Sequence, residues 1–262
     1  MNHRARRRFG QNFLHDANTI KRIIAAIAAS QDDHVVEIGP GQGALTEGLA
    51  ATAGKLTLIE LDRDLGAVLQ QRFASQDHIE LIMADALKVD LGAIADNGRL
   101  RLVGNLPYNI STPLLFHFFR YAAVISDMTL MLQKEVALRL LAEANTADYG
   151  RLSVMSRFYC RGELLLAVPP GAFRPAPKVD SAVVRLYPTP PPFSDASAQS
   201  AFADVVRHAF GQRRKTLRNS LRPLLSADQI TTAGIDPGRR AETLDLDDYV
   251  ALTRTYLASA AG

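Results

Sequence analysis

The amino-acid sequence predicts an α/β fold in which a doubly wound, mostly parallel sheet is followed by a small C-terminal helical domain. Three observations support this prediction. Strand-like apolar segments alternate with helix-like segments as far as residue 144, a glycine-rich turn follows the first of those strands, and residues 200–262 carry helical periodicity. Strands that alternate with helices are typical of a parallel sheet with helices on both of its faces.

The elements can be justified in order along the chain. Asp16 is placed to cap a helix whose isoleucines at 20, 23, 24 and 27 repeat at helical spacing. Apolar runs predict the strands, and the amphipathic segments between them predict the helices. The predicted strands are 34–38, 55–61, 79–83, 100–104 and 127–132, and the predicted helices run from the glycine turn to about residue 53, over 64–73, from residue 111 onward and over 133–144.

The later part of the chain departs from this alternation. Strands are predicted at 163–168 and 181–187 on either side of a proline-rich loop, which indicates an antiparallel hairpin at the sheet edge. Prolines at 188, 190, 191 and 192 predict a linker. The domain organisation that follows is a basic arm at 1–15, an α/β domain at 16–188 and a small helical domain at 200–262.

Composition restricts the class of protein. With 262 residues, 47% of them hydrophobic and 22% charged, the chain can bury a full α/β core. Its single cysteine, Cys160, excludes an internal disulfide and indicates a reducing compartment. The histidines lack metal-ligand spacing, and no apolar run is long enough to cross a bilayer. We therefore expect a cytoplasmic monomer with no metal site and no membrane segment.

The net charge of +3 is unevenly distributed, because residues 1–22 carry +5, residues 207–222 carry +6 and the rest of the chain carries −8. The basic residues of the second segment, which holds no acidic residue, are Arg207, Arg213, Arg214, Lys215, Arg218 and Arg222. If this segment is one helix, Arg207, Arg214, Arg218 and Arg222 share a face, although Gly211 favours a break. The two segments indicate either a polyanionic partner such as RNA or two solvated faces.

A glycine-rich turn is the first motif that points to a ligand. From residue 35 the chain reads Val-Val-Glu-Ile-Gly-Pro-Gly-Gln-Gly-Ala, and Gly39 and Gly41 allow close approach of a ligand to the backbone. Glu60, near the end of the next strand, can accept hydrogen bonds from both ribose hydroxyls of a nucleoside. The turn also satisfies the dinucleotide-binding pattern G-x-G-x-x-A of dehydrogenases. Glu37 favours S-adenosylmethionine, because it resembles the acid of the methyltransferase turn E-x-G-x-G-x-G, which faces the methionine end of that cofactor. A negative charge there would also lie poorly beside a pyrophosphate.

A third acidic residue, Asp85, follows the predicted strand 79–83, where the adenine of such a nucleoside would lie. Its carboxylate can accept a hydrogen bond from the exocyclic amine, and the Ala86 N–H can donate to a ring nitrogen. A lone Asp after a strand is otherwise a turn residue or a helix cap. The order Glu37, Glu60, Asp85 favours the ligand-binding interpretation.

The sharpest chemical signal is Asn105-Leu106-Pro107-Tyr108 at the end of the fourth strand. An adenine N6 is a weak nucleophile because its lone pair is delocalised into the ring. Acceptors on both N6 hydrogens, from the Asn105 side chain and the Leu106 carbonyl, would make the nitrogen more tetrahedral, and Pro107 restrains that carbonyl. The Tyr108 ring offers an extruded base a stacking surface. The segment therefore indicates methyl transfer to adenine through orientation and electrostatics, the alternative being a plain Asn-Pro turn.

In these motifs the chain resembles the bacterial small-subunit (16S) ribosomal RNA adenine N6,N6-dimethyltransferase family, which is kin to the erythromycin-resistance rRNA methyltransferases and to mitochondrial transcription factor B. The resemblance runs nearly end to end. The matching motifs lie at 9–14, 37–43, 60, 85, 105–108, 133–137, 149–153, 173–181 and 210–217.

The resemblance implies a Rossmann-like methyltransferase sheet that binds S-adenosylmethionine with the help of Asn12, Leu14 and Asn105. It implies two methyl groups on each of two adjacent adenosines, in a hairpin near the 3′ end of small-subunit rRNA within an assembling 30S-type particle. The segment 210–217 matches the family's basic helical segment, so an RNA-binding role is expected for the arginines around it. Leu106 resembles the housekeeping branch, since the resistance branch usually has isoleucine there.

Three other functions fit part of the sequence. An N6-adenine methyltransferase that acts on another nucleic acid would share residues 105–108 but lack the C-terminal basic match. A nicotinamide dehydrogenase would need a proton relay beside the glycine turn, where the sequence offers none. A non-catalytic assembly factor would have no need of an intact Asn105-Leu106-Pro107-Tyr108 segment.

Overall fold

The computed structural model describes residues 12–212 and 214–260, and within them the chain forms two compact units. The first unit extends to Ala137 and resumes over Gly162–Pro188. The second unit takes Leu138–Arg161 and continues from Thr189. The predicted range 16–188 for the α/β domain therefore differs from the observed first unit, because residues 138–161 pack with the later helices.

Nine strands are described. They are β1 (Phe13–Leu14), β2 (His34–Ile38), β3 (Lys55–Glu60), β4 (Ile79–Met83), β5 (Leu100–Asn105), β6 (Ile125–Gln133), β7 (Cys160–Val168), β8 (Phe173–Arg174) and β9 (Ser181–Pro188). Seven of these strands form one sheet in the order β4-β3-β2-β5-β6-β9-β7. The pairs β4/β3, β3/β2, β2/β5 and β5/β6 are parallel, and β9 is antiparallel to β6. The predicted parallel sheet with antiparallel strands at one edge is confirmed.

The described helices alternate with the strands in the first unit and stand alone in the second. They are α1 (Ala17–Ile27), α2 (Thr46–Ala50), α3 (Arg63–Arg72), α4 (Leu91–Ala95), α5 (Ser111–Phe119), α6 (Lys134–Leu141), α7 (Arg151–Tyr159), α8 (Ala196–Phe210), α9 (Leu217–Ser220), α10 (Ala227–Thr232) and α11 (Leu246–Ala260). The predicted cap of α1 is confirmed, because the Asp16 carboxylate accepts a hydrogen bond from the Thr19 N–H at 2.7 Å.

The core of the first unit explains why its central strands read as apolar runs. Val35 and Val36 in β2, and Leu58 and Ile59 in β3, are at most 2% exposed. Consecutive residues point to opposite faces, so both faces of these strands are covered. The carboxyl ends of the parallel strands share one edge of the sheet, and that edge carries the polar residues of the predicted site.

Some elements differ from the sequence predictions. The helix after the glycine turn begins only at Thr46, because three glycines with positive φ keep the preceding residues out of the helical region. The helix predicted over 133–144 ends at Leu141. The helices α4 and α7 were not predicted, and neither were β1 and β8, which are too short to show a periodicity.

Aromatic packing accounts for the place of α7 in the second unit. The Phe158 ring stacks on Phe202 of α8 with centroids 4.1 Å apart, and the Phe193 ring lies 6.2 Å from Phe158. Tyr149 donates a hydrogen bond from its hydroxyl to the Leu244 carbonyl at 2.7 Å. These contacts hold residues 138–161 among the C-terminal helices.

Candidate active site

The glycine turn after β2 adopts a backbone that only glycine takes without strain. Gly39, Gly41 and Gly43 have φ values of +64°, +60° and +82°. A Cβ atom at Gly41 would lie 3.3 Å from the Phe13 ring of β1, so the side-chain-free backbone also lets the N-terminal segment close over the turn. The turn is tied to the neighbouring strand because the Gly39 N–H donates to the Ile59 carbonyl at 2.9 Å.

Glu60 ends β3 and is held by the backbone around it. One carboxylate oxygen accepts from the Gly41 N–H at 3.1 Å, and the other accepts from the N–H groups of Leu61 and Asp62 at 2.9 and 2.8 Å. Burial raises the pKa of this carboxyl, and the three N–H donors counteract the rise. The side chain therefore joins β3 to the glycine turn, a role that the sequence did not indicate. Its remaining lone pairs can still accept from a ligand's hydroxyls.

Glu37 is a buried carboxylic acid beside the turn. Its side chain accepts a hydrogen bond from the Thr46 hydroxyl at 2.7 Å. Burial raises the pKa of Glu37 to about 7, the Thr46 hydrogen bond opposes that rise, and the negative charge of Glu60 adds to it. A cationic ligand nearby would favour the ionised form, so this acid suits a ligand that carries positive charge.

The raised pKa of Glu37 makes a prediction about stability. The pKa is about 7 in the folded protein against 4.5 in the unfolded chain, so the folded state holds the proton more tightly. This contribution to stability is complete below about pH 4.5 and is lost as the pH rises through 7, at a cost of about 3 kcal/mol. Glu37→Gln removes the ionisation, so we expect its stability relative to wild type to increase between pH 4.5 and 8 in the absence of cofactor.

The measurement is urea-induced unfolding of wild type and Glu37→Gln at several pH values. Glu80→Gln is the matched control, because Glu80 lies exposed on β4, where it forms a 4.0 Å ion pair with Lys55. Parallel stability curves for wild type and Glu37→Gln across this pH range would contradict the assignment.

Asp85 lies just beyond β4, where it both stabilises a turn and lines a cavity. One carboxylate oxygen accepts a hydrogen bond from the Leu87 N–H at 3.0 Å, as in a turn. The residue also lines a cavity, together with Ala86, at the carboxyl ends of the strands. The turn interpretation and the ligand interpretation are therefore compatible.

Asn105 ends β5 and opens the loop that carries the predicted chemistry. Its side-chain amide donates to the Asn12 carbonyl at 3.0 Å, which orients the amide group and leaves its oxygen as the acceptor on the other side. The Leu106 N–H donates to the Met131 carbonyl at 3.1 Å, and the Leu106 side chain is buried. The loop is thus attached to β6 and to the N-terminal segment.

Tyr108 is half-buried, and both its hydroxyl and its backbone carbonyl form hydrogen bonds. Its hydroxyl shares a hydrogen bond with the Ser181 hydroxyl, and its backbone carbonyl accepts from the Ser111 hydroxyl at 3.3 Å. Burial raises the pKa of Tyr108, while the Ser181 hydrogen bond acts in the opposite direction.

A cavity of about 280 Å³ brings these residues together. All of the predicted cofactor-binding and catalytic residues line it, namely Asn12, Leu14, Glu37, Gly39, Gly41, Glu60, Asp85, Ala86, Asn105, Leu106, Pro107 and Tyr108. The sequence did not indicate the apolar side chains of Phe13, Leu65 and Ile110, which also line the cavity. Pattern reasoning misses such residues because an apolar side chain in a pocket looks like any core residue.

The basic segment 207–222 is not one helix, so the predicted common face is wrong. The helix α8 ends at Phe210 just before Gly211, and α9 begins at Leu217. Arg207 forms an ion pair with Asp204 at 2.9 Å, an acid just outside the segment, so local pairing does neutralise one of the charges. Arg214, Lys215, Arg218 and Arg222 are exposed. Arg213 and the N-terminal residues 1–11 lie outside the described residues.

Membrane-spanning and metal-binding features can be judged for the described residues. None of the helices within 12–212 and 214–260 combines the length and the apolar character that crossing a membrane requires. Over the same ranges, no group of three or more His, Cys, Asp or Glu side chains is arranged to hold a metal ion.

Known proteins match nearly the whole chain. A family model described as ribosomal RNA adenine dimethylase matches residues 2–257. The ribosomal RNA small subunit methyltransferase A of Pseudomonas aeruginosa is 54% identical over 251 residues, which cover 95% of this chain and 94% of that protein. The protein of the same name from Nitrosococcus oceani is 53% identical over 258 residues, covering 98% of each chain.

Two solved structures resemble the whole fold. A dimethyladenosine transferase from Plasmodium falciparum has a TM-score of 0.77 and 26% identity, and the match covers 92% of this chain and 95% of that one. The 23S rRNA methyltransferase ErmE has a TM-score of 0.71 and 28% identity, and the match covers 93% of this chain and 99% of that one.

Proposed function

The chain belongs to the ribosomal RNA adenine dimethylase family, and we propose on this basis that it uses S-adenosylmethionine to dimethylate adenosines of small-subunit rRNA. The target we propose is a pair of adjacent adenosines in a hairpin near the 3′ end of that RNA, each of which receives two methyl groups at N6. The observation that carries the proposal is the meeting of Glu37, Glu60 and Asp85 with the loop of Asn105 and Tyr108 in one cavity.

The cofactor-binding half of the cavity fits S-adenosylmethionine. Glu60 and Asp85 are carboxylates at the ends of neighbouring strands, where they can accept from ribose hydroxyls and from an adenine amine. Glu37 is buried with a pKa of about 7, and a bound sulfonium or ammonium group would stabilise its ionised form. The left-handed backbone at Gly39 and Gly41 keeps the turn free of side chains where a ligand approaches.

A dinucleotide fits less well. Its pyrophosphate would lie beside the glycine turn, where an ionised Glu37 carboxylate would repel it. Membership of the adenine dimethylase family removes the dehydrogenase alternative, and the intact loop 105–108 argues against a purely structural assembly factor.

The reaction needs little from the protein beyond orientation. The bound cofactor supplies a methyl group on a sulfonium, which is an excellent leaving group. The Asn105 oxygen and the Leu106 carbonyl would accept hydrogen bonds from the target N6 and increase its nucleophilic character. Pro107 restrains the carbonyl, and the Tyr108 ring would stack on the extruded base. These residues thereby hold the nitrogen in line for attack.

The proposed partner is rRNA within an assembling 30S-type particle, approached by a monomeric, cytoplasmic enzyme. Exposed arginines and lysines supply the contacts to phosphate. Among the described residues, Arg214, Lys215, Arg218 and Arg222 combine exposure with a position in the second unit's basic segment. Phosphate contacts of this kind position the RNA without reading its sequence.

The experiment that tests the function uses labelled S-adenosylmethionine and small subunits from cells that lack this methylation. After incubation, the modified nucleotides are mapped and identified. The expected product is N6,N6-dimethyladenosine at two adjacent positions near the 3′ end. Label in another RNA, or at a single position, would contradict the proposed substrate.

The basic segment can be tested by charge reversal. Arg218 lies on α9 and Arg214 lies shortly before it, and both are exposed. We expect Arg214→Glu with Arg218→Glu to weaken binding of the small subunit. The slope of log K against log salt should become shallower by roughly 0.7–0.9 for each phosphate that is no longer neutralised. Affinity for S-adenosylhomocysteine should not change.

The matched control reverses Arg240 and Arg254, which are exposed in the same unit outside the segment. It produces the same change of net charge. If the two double variants weaken binding equally, the effect comes from overall charge. If neither does, the N-terminal arginines become the leading candidates for the phosphate contacts.

A further inference from the structure

The antiparallel strand β9 places a serine at the active edge of the sheet. The parallel strands end at this edge, whereas β9 runs the other way and begins there. In the register of β6 and β9, Ser181 lies opposite Gln133, the last residue of β6. The start of β9 is further tied by the Lys134 N–H, which donates to the Asp180 carbonyl at 2.9 Å, and by a 3.8 Å ion pair between the side chains of Lys134 and Asp180.

The side chain of Ser181 is fully buried. Among the described residues, its hydroxyl forms a side-chain hydrogen bond with the Tyr108 hydroxyl. A phenol is protonated at neutral pH, and burial raises the pKa of Tyr108 further, so its hydroxyl remains able to donate. The backbone of Tyr108 is held separately, since its carbonyl accepts from Ser111. Tyr108 is therefore restrained both at its backbone and at the hydroxyl end of its ring.

We propose that Ser181 is a positioning residue that holds the ring of Tyr108 in the orientation that receives the target adenine. The proposal rests on the proposed function, in which Tyr108 stacks on the base. Phenylalanine in place of Tyr108 would present the same ring face but would lack the hydroxyl that bonds to Ser181. The hydroxyl pair lowers the number of ring orientations before the base arrives, so less conformational entropy is lost in the bound complex.

The proposal gives the Tyr108 hydroxyl a function other than proton transfer. In this proposal each hydroxyl acts only through its hydrogen bond to the other. The kcat of the double variant should therefore be no lower than that of either single variant. A single removal also leaves a polar group with no partner in a buried place, which adds to its cost. A double-mutant cycle separates this coupling from two independent contributions.

The experiment measures the rate of methyl transfer to small subunits for Ser181→Ala, Tyr108→Phe and the double variant. We expect each single variant to lower kcat by about threefold to tenfold, which is the size of one neutral hydrogen bond. The double variant should show the same loss as the single variants, rather than their product of about tenfold to a hundredfold. Ser181→Cys, which keeps a side chain of similar size with weak hydrogen-bonding capacity, should recover part of the loss.

A matched control distinguishes positioning from general destabilisation. Ser153→Ala removes another buried serine hydroxyl, which donates to the Arg139 carbonyl and accepts from the Gly150 N–H in the second unit. It should lower thermal stability but leave kcat unchanged. The affinity of every variant for S-adenosylhomocysteine should match that of wild type.

Two results would overturn the proposal while leaving the proposed function intact. One is a decrease of kcat in the double variant that equals the product of the two single decreases, and the other is a wild-type kcat for Ser181→Ala. A failure of the proposed function would be seen with the wild-type protein itself, which would then not methylate adenosines of the small subunit. That result would overturn both proposals.

Discussion

Replacing Asn105 with alanine is expected to lower the turnover of adenine methylation by at least about tenfold to a hundredfold. The proposed reaction depends on an acceptor that holds an N6 hydrogen of the target base, and alanine offers none. The structure supports this role because the Asn105 amide N–H donates to the Asn12 carbonyl, which directs the side-chain oxygen away from that contact. Single-turnover methylation of small subunits measures the decrease in rate.

The same hydrogen bond also ties the N-terminal segment to β5, so cofactor affinity must be measured alongside turnover. We expect the affinity for S-adenosylhomocysteine to change much less than the rate. Asn18→Ala is a matched control, since Asn18 is an exposed residue of α1 outside the cavity. A variant that methylates at the wild-type rate would contradict the role of Asn105, and a rate that falls only in step with cofactor affinity would reassign it to cofactor binding.

Replacing Glu60 with alanine is expected to weaken S-adenosylhomocysteine binding by roughly 1.5–3 kcal/mol, which is about tenfold to 150-fold in Kd. Two effects contribute. The variant lacks the charged acceptor proposed for the ribose hydroxyls. It also leaves the N–H groups of Gly41, Leu61 and Asp62 without the carboxylate that accepts from them. Titration calorimetry measures the change.

Glu60→Gln separates these two contributions. It keeps one oxygen that can accept from the backbone or from a ligand, so its affinity should lie between those of wild type and Glu60→Ala. Glu80→Ala is the control for removing a carboxylate from the neighbouring strand β4 outside the cavity. An unchanged Kd for Glu60→Ala, or binding of NAD in preference to S-adenosylhomocysteine, would contradict the cofactor assignment.

The candidate site was largely predictable because parallel strands simplify its geometry. Glu60 and Asn105 each end a strand, and Asp85 follows one closely. Since parallel strands end at one edge of the sheet, three positions far apart in the chain were expected to meet, and they line one cavity. The bounds of β2 and β4 were predicted correctly for a related reason, since polar or turn residues flank their apolar runs.

The basic segment shows where local reasoning was insufficient. The sequence contains both helical spacing of arginines and Gly211, and these features favour different structures. The helix ends at Phe210, and the ion pair between Arg207 and Asp204 forms within α8. Which signal prevails depends on how the apolar side chains pack in the second unit. Leu217 and Leu221, for example, are fully buried.

The sequence by itself determined the seven strands of the main sheet and most of the helices between them, the glycine turn, and the residue types at the strand ends. These features follow from local rules, namely apolar periodicity, backbone freedom and the chemistry of single side chains. Tertiary structure alone decided that Phe13 covers Gly41, that Asn12 orients Asn105, and that Ser181 meets Tyr108. Each of these contacts joins segments that are distant in the chain, and no local preference specifies such a contact. The pairing of β1 with β8 and the antiparallel register of β6 with β9 bring these segments together, and that register depends on how both faces of the sheet are buried.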